Sequence, residues 1–346
     1  MNNESLIMTQ PTPAQRRYLD LRLGMMLHFG INTYYDKEWS DGTLDASRFD
    51  PGQLDTDSWC ESAAAAGMKL VVLTTKHHDG FCLWPTKHSS YGVMSSPCRR
   101  DVVGELAESC RKFGLRLSVY YSLWDRRHDT GDDAAYADFM FRQLEELFTS
   151  YGDITMLWLD GVWFKLTERT PTLHEMENIH LLFPGAKPEA FVEAWNSIGR
   201  RRWHFDQLYA QVKSWQPDCL VMNNTTTEFP GLPLFPVDAR CGEKATALGG
   251  DKKVWSFDGR DVYLPLQIET TLSQWGPPGP FANGGWFWHE GDHSCATPTQ
   301  IADWKEKAAH LDAVLLLNSG VMANGRLRAE ESALHRLIGE ARVEAK

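Results

Sequence analysis

Short apolar segments alternate with amphipathic helices through the first half of this chain of 346 residues. The pattern predicts strands over 24–31, 69–75, 115–121 and 154–160, and helices over 53–67, 102–113 and 133–151. Short strands separated by helices of about 10 to 15 residues are typical of repeated strand–helix–strand units with a parallel sheet. Four such units in order, each ending in polar or aromatic residues, favour a closed barrel over an open sheet.

The second half of the chain is less regular. A helix over 203–215 and a strand over 219–223 precede a long stretch, 224–284, that is rich in glycine and proline. Loops of that length inside a compact domain are usually functional. Regularity returns with 285–288, a helix over 298–310, a strand over 312–318 and a terminal helix over 329–345. We therefore predict an α/β fold, a single (β/α)8-like TIM barrel domain over 1–346 that is irregular in its second half.

Amino-acid composition excludes some classes of binding partner and favours others. The net charge of −11 argues against nucleic acid and against an anionic membrane, because both need a basic face. The 14 tryptophans, 16 phenylalanines and 10 tyrosines mildly favour a carbohydrate ligand, whose apolar C–H faces stack on aromatic rings. The seven scattered cysteines contain no CxxC pair, so neither a disulfide framework nor a zinc site is expected.

The start of the chain bears on localisation. Its first twenty residues contain no apolar segment of the kind that a secretory signal requires. No segment approaches the roughly 18 apolar residues of a membrane span. We expect a soluble, cytoplasmic protein, although a signal removed beforehand would leave no trace. An oligomer is possible, and the sequence does not decide it.

The predicted strand over 154–160 stops at Asp160, which Gly161 follows. The carboxyl ends of barrel strands carry the active site, so an acid there is placed to act as a nucleophile or general base. Taken alone, Asp160 could equally cap the next helix. Similar residues stand at or near other strand ends, and in a barrel all would converge on one pocket: His28, Glu38, Trp39, His77, His78, Tyr121, Trp124, Asp125, Trp158, Asn223, Asn224, Trp286 and His289.

Metal binding is the first alternative for these residues. No pair has a ligand spacing such as HxH or HExxH, and adjacent His77 and His78 would point to opposite faces of a strand. We therefore expect no metal. Imidazoles, amides and a carboxylate instead suit the hydroxyl groups of a sugar. Glycoside hydrolysis needs two carboxyl groups, and the candidates for the second are Glu228, Asp238, Glu243 and Glu269.

Over nearly its whole length, the chain resembles the α-L-fucosidases of glycoside hydrolase family 29, specifically the subgroup selective for α-1,3/1,4-linked fucose. The segments that match are HFGINTYYDKEWSDG at 28–42, AGMKLVVLTTKHHDGFCLWPTKHS at 66–89, DVVGELAESCRKFGLRLSVYYSLWDR at 101–126, YGDITMLWLDG at 151–161 and GGWFWH at 284–289. The resemblance implies a retaining hydrolase on a (β/α)8-like barrel, without metal or cofactor, that acts on fucosylated glycans.

The resemblance also assigns roles. The nucleophile of the family's WFDG-like motif falls on Asp160, and the fucose contacts fall on His28, Glu38, Trp39, His77 and His78. The subgroup's acid/base glutamate lies in a motif resembling RWVGNE, which the segment DARCGE at 238–243 matches best, so Glu243 takes that role. That match lacks one residue between the glycine and the glutamate, and Cys241 replaces an aromatic residue.

Three alternatives remain open. Glu269 in LQIETTLSQWG is the alternative acid/base residue. A fucose-binding protein without catalysis, or a hydrolase of a related sugar such as α-L-galactose, would keep much of the same residue set. The chain also ends soon after LLLNSG and NGRL, so we expect no C-terminal β-sandwich of the kind that many relatives carry.

Overall fold

The computed structural model describes residues 9–169, 172, 175, 187–225, 229–244, 247–257, 259–276 and 285–344. Eight of its strands form one sheet in which every hydrogen-bonded pair is parallel. They are β1 (Leu23–His28), β2 (Leu70–Lys76), β3 (Arg116–Ser122), β4 (Ile154–Asp160), β5 (Leu220–Asn223), β6 (Arg240–Glu243), β9 (Leu266–Thr271) and β10 (Ala313–Gly320). The predicted (β/α)8-like barrel is confirmed.

The sheet runs in the order β5-β4-β3-β2-β1-β10-β9-β6, so the barrel is closed where β6 meets β5. Asp238, just before β6, makes this junction. Its backbone N–H donates to the carbonyl oxygen of Val221 (2.7 Å), and its carboxylate accepts from the Val221 N–H (2.9 Å). One aspartate thus stands in for the missing strand-to-strand ladder.

Helices cover the outside of the barrel. They are α1 (Pro13–Leu19), α2 (Thr56–Ala65), α3 (Val102–Phe113), α4 (Asp133–Ser150), α5 (Pro188–Ala194), α6 (Arg200–Arg202), α7 (Phe205–Trp215), α8 (Pro298–His310) and α9 (Ala329–Glu344). Their starts follow from local chemistry. The side chains of Asp101 and Asp132, for example, accept the first free N–H groups of α3 and α4.

Two buried clusters form the core. The larger one packs the outward faces of the strands against the helices. The smaller one fills the barrel interior with residues such as Met26, Val72, Tyr120, Trp158 and Leu316. Because both faces of these strands are buried, the apolar runs are continuous and do not alternate with polar residues.

The predictions for the second half need correction. The stretch 224–284 contains the barrel strands β6 and β9 as well as a two-stranded hairpin of β7 (Val254–Phe257) and β8 (Arg260–Tyr263). Residues 285–288, expected to be regular, form no strand. β6 is only four residues long, and β9 has only two apolar residues, Leu266 and Ile268, so neither strand is found by a search for apolar runs.

Within the described residues, no helix combines the length and apolar character that crossing a membrane requires.

Candidate active site

Asp160 is the last residue of β4, and its carboxylate lies at the carboxyl end of the barrel. The phenol of Tyr120 on β3 donates to one carboxylate oxygen (2.7 Å). The other oxygen accepts from the Gly161 N–H (2.8 Å) and from the side-chain amide of Asn224 (3.3 Å). Three donors from three segments therefore fix the orientation of this carboxylate.

Gly161 is required by its position. Its φ of 77° lies in the left-handed region, and a β-carbon there would stand 2.5 Å from the β-carbon of Trp124. Only glycine allows the chain to turn here while the backbone N–H reaches back to Asp160. The Asp-Gly pair in the sequence is thus a geometric unit.

The structure brings His28, His77 and His78 together beside Asp160. The ring centres of His28 and His77 are 5.8 Å apart, and those of His77 and His78 are 4.3 Å apart. The Nε2 atom of His78 lies 3.6 Å from a carboxylate oxygen of Asp160. The expectation that His77 and His78 point to opposite faces is wrong, because both follow Lys76, the last residue of β2, and escape strand alternation.

Hydrogen bonds orient two of these rings. Nδ1 of His28 lies 2.6 Å from the Asn318 side-chain oxygen, and Nδ1 of His78 lies 2.6 Å from the Ser122 hydroxyl. That hydroxyl donates to the Trp124 carbonyl oxygen, so Nδ1 of His78 carries the proton and its Nε2 offers a lone pair to the cavity. Burial lowers the pKa of His28 to about 4 and that of His78 to about 3, and it holds the pKa of His77 well below the usual value.

His77 differs from its neighbours. It is buried, and its Nδ1 has no hydrogen-bond partner among the described residues. A buried polar atom without a partner costs free energy, on the order of 1–3 kcal/mol. This buried ring nitrogen, unpaired within the described part of the chain, distinguishes His77 from His28 and His78.

Aromatic rings line the same cavity. Trp39 packs edge-on against His78 (5.1 Å) and Trp124 (5.5 Å), and Trp286 lies 5.3 Å from His28. Trp39 and Trp286 are half-buried, whereas Trp124 is fully buried behind them. Trp158 lies one layer deeper in the barrel, stacked on Tyr120 at 4.9 Å. The two half-buried tryptophans offer the apolar surface that a ligand could contact.

The predicted site residue Tyr121 is not part of this set. Its hydroxyl donates to Gln143 on α4 (2.8 Å), outside the barrel, and the ammonium of Lys76 lies over its ring. The neighbouring Tyr120 occupies the inward position, and we correct the assignment accordingly. Both faces of β3 are buried, but Ser118 and Ser122 stand on the same face as Tyr120 and are the signal that could have identified the inward face.

Glu38 reaches the cavity as a structural anchor. Its carboxylate accepts the backbone N–H groups of Gly285 (2.6 Å), Trp286 (3.1 Å) and Phe287 (3.2 Å). It also contacts the ring of His289 (3.0 Å). Glu38 thus holds the segment that carries Trp286 over the barrel mouth.

Several other residues at the strand ends make contacts that stabilise the fold. Asp125 is buried with Lys76 as an ion pair (2.8 Å). The Asn223 amide donates to the Leu234 carbonyl oxygen, and His289 lies between Asp36 and Glu38. Asn224 and Asn318 do line the cavity, since their amides contact Asp160 and His28. Asn318 was missed although it ends the apolar run of the last predicted strand, which is the signal that could have found it.

The four candidates for the second carboxyl group have different positions in the structure. Glu228 lies outside the described residues. Asp238 uses its carboxylate to close the barrel, and it also binds Tyr209 and Lys213. Glu243 at the end of β6 shares the Asn224 amide with Asp160. Glu269 is fully buried on β9 beside it.

The two carboxyl groups that share Asn224 have different proton affinities. Burial raises the pKa of Asp160 to about 6, even though its three hydrogen bonds lower it. Burial and then the charges of Asp160 and Glu269 raise the pKa of Glu243 to about 8. Near pH 7 one group is therefore mainly ionised and the other mainly protonated, which is the division that an acid and a nucleophile need.

One cluster could in principle hold a cation. Ligand atoms of His77, His78 and Asp160 lie within 4.8 Å of one another, and two imidazoles with a carboxylate are ligands that zinc accepts. Asp160 already accepts three hydrogen bonds, however, and the same lone pairs accept hydroxyl protons equally well. The donor set therefore fits a sugar as well as a metal.

A (β/α)8 barrel whose mouth holds paired carboxyl groups, histidines and tryptophans defines a glycoside hydrolase-like protein. The family model described as Alpha-L-fucosidase matches residues 2–340. The chain belongs to the α-L-fucosidase family.

Individual proteins similar to this chain carry the same family description. Alpha-L-fucosidase 1 of Arabidopsis thaliana is 28% identical over 355 residues, which cover 95% of this chain and 61% of that protein. A glycoside hydrolase 29 family member from an unknown rumen bacterium superposes with a TM-score of 0.74 at 27% identity, covering 95% of this chain and 56% of that one. This chain thus spans about three fifths of the length of the Arabidopsis relative.

A second solved structure shares the fold at lower identity. It is an α-L-fucosidase of Bacteroides thetaiotaomicron, described as a trapped covalent intermediate in complex with 2-fluoro-fucosyl fluoride. It has a TM-score of 0.67 at 21% identity, and the match covers 96% of this chain and 75% of that one.

Proposed function

We propose that this protein is a retaining exo-α-L-fucosidase that releases L-fucose from α-1,3/1,4-fucosylated glycans. The observation that carries the proposal is the pair of carboxyl groups on one amide: Asp160 and Glu243 both bind Asn224 and differ in proton affinity. A retaining mechanism needs two carboxyl groups roughly 5–5.5 Å apart. Two groups within reach of a single amide nitrogen are compatible with that separation.

In the first step, the ionised carboxylate of Asp160 attacks the anomeric carbon of α-L-fucose. The protonated carboxyl group of Glu243 gives its proton to the departing glycosidic oxygen as the C–O bond breaks. In the second step, Glu243 removes a proton from water, which attacks the same carbon and frees Asp160. Two inversions give L-fucose with retained configuration. The Bacteroides thetaiotaomicron α-L-fucosidase, which shares this fold, was trapped as a covalent intermediate.

The remaining residues bind the sugar in this proposal. The inward lone pair of His78 accepts a hydrogen bond from a ring hydroxyl group, and the neighbouring rings of His28 and His77 contact the sugar beside it. The faces of Trp39 or Trp286 pack against the C6 methyl group of fucose. That apolar contact would favour L-fucose over α-L-galactose, which carries a hydroxyl group at C6.

Fucose release from a small panel of oligosaccharides tests the proposal. The panel contains Lewis-type trisaccharides with α-1,3- and α-1,4-linked fucose, an α-1,2-linked fucoside and an α-L-galactoside, each with and without a chelator. We expect release from the first two, unaffected by the chelator. Release only from the galactoside would indicate the related L-sugar hydrolase, and fucose binding without release would indicate the inert binding protein.

The pH dependence follows from the same pair. The folded-state pKa of about 6 for Asp160 means that the nucleophile gains its charge as the pH rises through 6. The pKa of about 8 for Glu243 means that the acid loses its proton as the pH rises through 8. We expect a bell-shaped profile of kcat/KM with its maximum near pH 7. A profile that stays flat up to pH 9 would contradict these assignments.

The anchor Glu38 gives a second prediction. Glu38→Gln removes the negative charge that accepts three backbone N–H groups and contacts His289. Because hydrogen bonds to charged groups contribute about 1.5–3 kcal/mol each, the segment that carries Trp286 should loosen. We expect kcat/KM to fall at least about tenfold, mostly through a higher KM.

A neighbouring acid provides the control for Glu38. Glu290 is exposed and follows His289 directly, so Glu290→Gln removes an equal charge nearby without touching the anchor. This variant should keep the kinetics of the wild type. Equal effects of the two substitutions on KM would show that only the overall charge matters.

A further inference from the structure

A third carboxyl group, that of Glu269, lies inside the barrel and takes no part in the mechanism above. Glu269 is fully buried on β9, and its Cα partner in the neighbouring strand β6 is Glu243. Neighbouring strands are about 4.8 Å apart, so side chains at paired positions of parallel strands point to the same face. The third carboxyl group therefore lies directly beside the proposed acid/base residue.

Burial raises the pKa of Glu269 to about 7, although two hydrogen bonds favour its ionised form, so this group carries its charge in the pH range of the basic limb of the activity profile. The Gln267 amide donates to one carboxylate oxygen (2.9 Å), and the thiol of Cys241 lies 2.6 Å from the other. Gln267 is in turn fixed by the Tyr18 hydroxyl at the opposite end of the barrel. Both oxygens thus face donors, and donors stabilise a carboxylate relative to the neutral acid.

Cys241 also connects Glu269 to the reacting groups. Its sulfur lies 3.7 Å from the side-chain oxygen of Asn224, whose amide nitrogen binds Asp160 and Glu243. The same sulfur atom thus contacts both Glu269 and Asn224. Three carboxyl groups are therefore joined through one amide and one thiol.

We propose that Glu269 is a positioning residue whose buried negative charge keeps the proton on Glu243 until the leaving group takes it. This inference rests on the proposed function. Among the described residues, the groups that act on the pKa of Glu243 include Asp160 at the end of β4, Asn224 just after β5, Lys244 just after β6 and Glu269 on β9. The neutral Tyr120 phenol and Cys241 thiol also lie near Glu243. Lys244 favours the ionised form, and its ammonium is also bound to Thr271 and lies over the Trp286 ring. The carboxylates oppose that effect.

The test is the pH profile of kcat/KM for Glu269→Gln on an unactivated fucoside, whose first step needs the acid. Removing the neighbouring charge makes ionisation of Glu243 easier, so the basic limb should move to lower pH by about one unit. Above that limb, kcat/KM should fall about tenfold, with little change on the acid side. The acid limb belongs to Asp160 and should move less.

Further variants separate charge from structure. Cys241→Ala removes one donor from Glu269 and should shift the basic limb in the same direction by a smaller amount, whereas Cys241→Ser should restore it. Glu331→Gln is the matched control, because Glu331 is equally buried but pairs with Arg328 on the outside of the barrel. It should lower the melting temperature and leave both limbs in place.

The outcomes of these experiments support or overturn the role proposed for Glu269. A basic limb that does not move in Glu269→Gln overturns it. Loss of activity on unactivated fucosides at every pH also overturns it if activated fucosides still form an intermediate whose slow hydrolysis azide accelerates, because Glu269 would then be the acid/base residue. If the wild type releases no fucose, the proposed function fails separately. In that case, titration of the 13C-labelled carboxyl group of Glu243 in the wild type and in Glu269→Gln still measures the shift directly.

Discussion

Replacement of Asp160 by alanine is expected to abolish turnover of every fucoside, activated or not. No covalent intermediate can form without the carboxylate, so we expect kcat to fall by about 10⁴-fold or more. The loss should not depend on the leaving group, because the attacking oxygen itself is missing. Steady-state rates with a 4-nitrophenyl fucoside and with a Lewis-type trisaccharide measure it.

Two further experiments show whether the loss of turnover is due to the missing carboxylate. The space left by the side chain can admit azide, which should attack from the same face and give a β-L-fucosyl azide product. Asp153→Ala removes an exposed aspartate just before the opposite end of β4 and should behave like the wild type. A fucosidase that keeps its rate after the change at Asp160 would remove the nucleophile assignment.

Glu243→Gln should instead separate substrates by their leaving groups. Departure of a sugar alcohol needs a proton, so kcat/KM on natural glycosides should fall by about 10²–10⁴-fold. A 2,4-dinitrophenyl leaving group needs none, so formation of the intermediate should be nearly unchanged. Its hydrolysis still needs the base, and a burst of dinitrophenol followed by a slow steady rate is expected.

Azide completes this experiment, because it needs no base and should accelerate the slow second phase. The same assays on Glu269→Gln provide the comparison within one cavity. If Glu243→Gln behaves like the wild type on both substrate types while Glu269→Gln shows the burst, the acid/base role belongs to Glu269. Melting temperatures of both variants identify any loss of folding.

The sequence located Asp160 because the information there is local. The predicted strand over 154–160 has the observed bounds of β4, since a continuous apolar run bordered by a polar turn defines both ends. Gly161 confirms the turn through its positive φ. The histidines at the ends of β1 and β2 were found by the same argument.

The face of a strand to which a side chain points was harder to predict than the position of the residue along the strand. The choice between Tyr120 and Tyr121 depends on which face of β3 points inward, and both faces are buried. The placement of His77 and His78 depends on where hydrogen bonding of β2 stops, which is at Lys76. Neither question can be answered from a run of apolar letters, because pairing with the neighbouring strands decides both.

Local pattern by itself determined the barrel class, the position of Asp160 and most of the ring of histidines and tryptophans, since periodicity and strand ends are properties of short segments. Only the tertiary structure distinguished the surroundings of the four acids that the sequence offered beside Asp160. It assigned Asp238 to closing the barrel, and it brought Glu243 and Glu269 together from strands hidden in an irregular stretch. The physical reason is that proton affinity depends on burial and on neighbouring charges, and residues distant in the chain supply both.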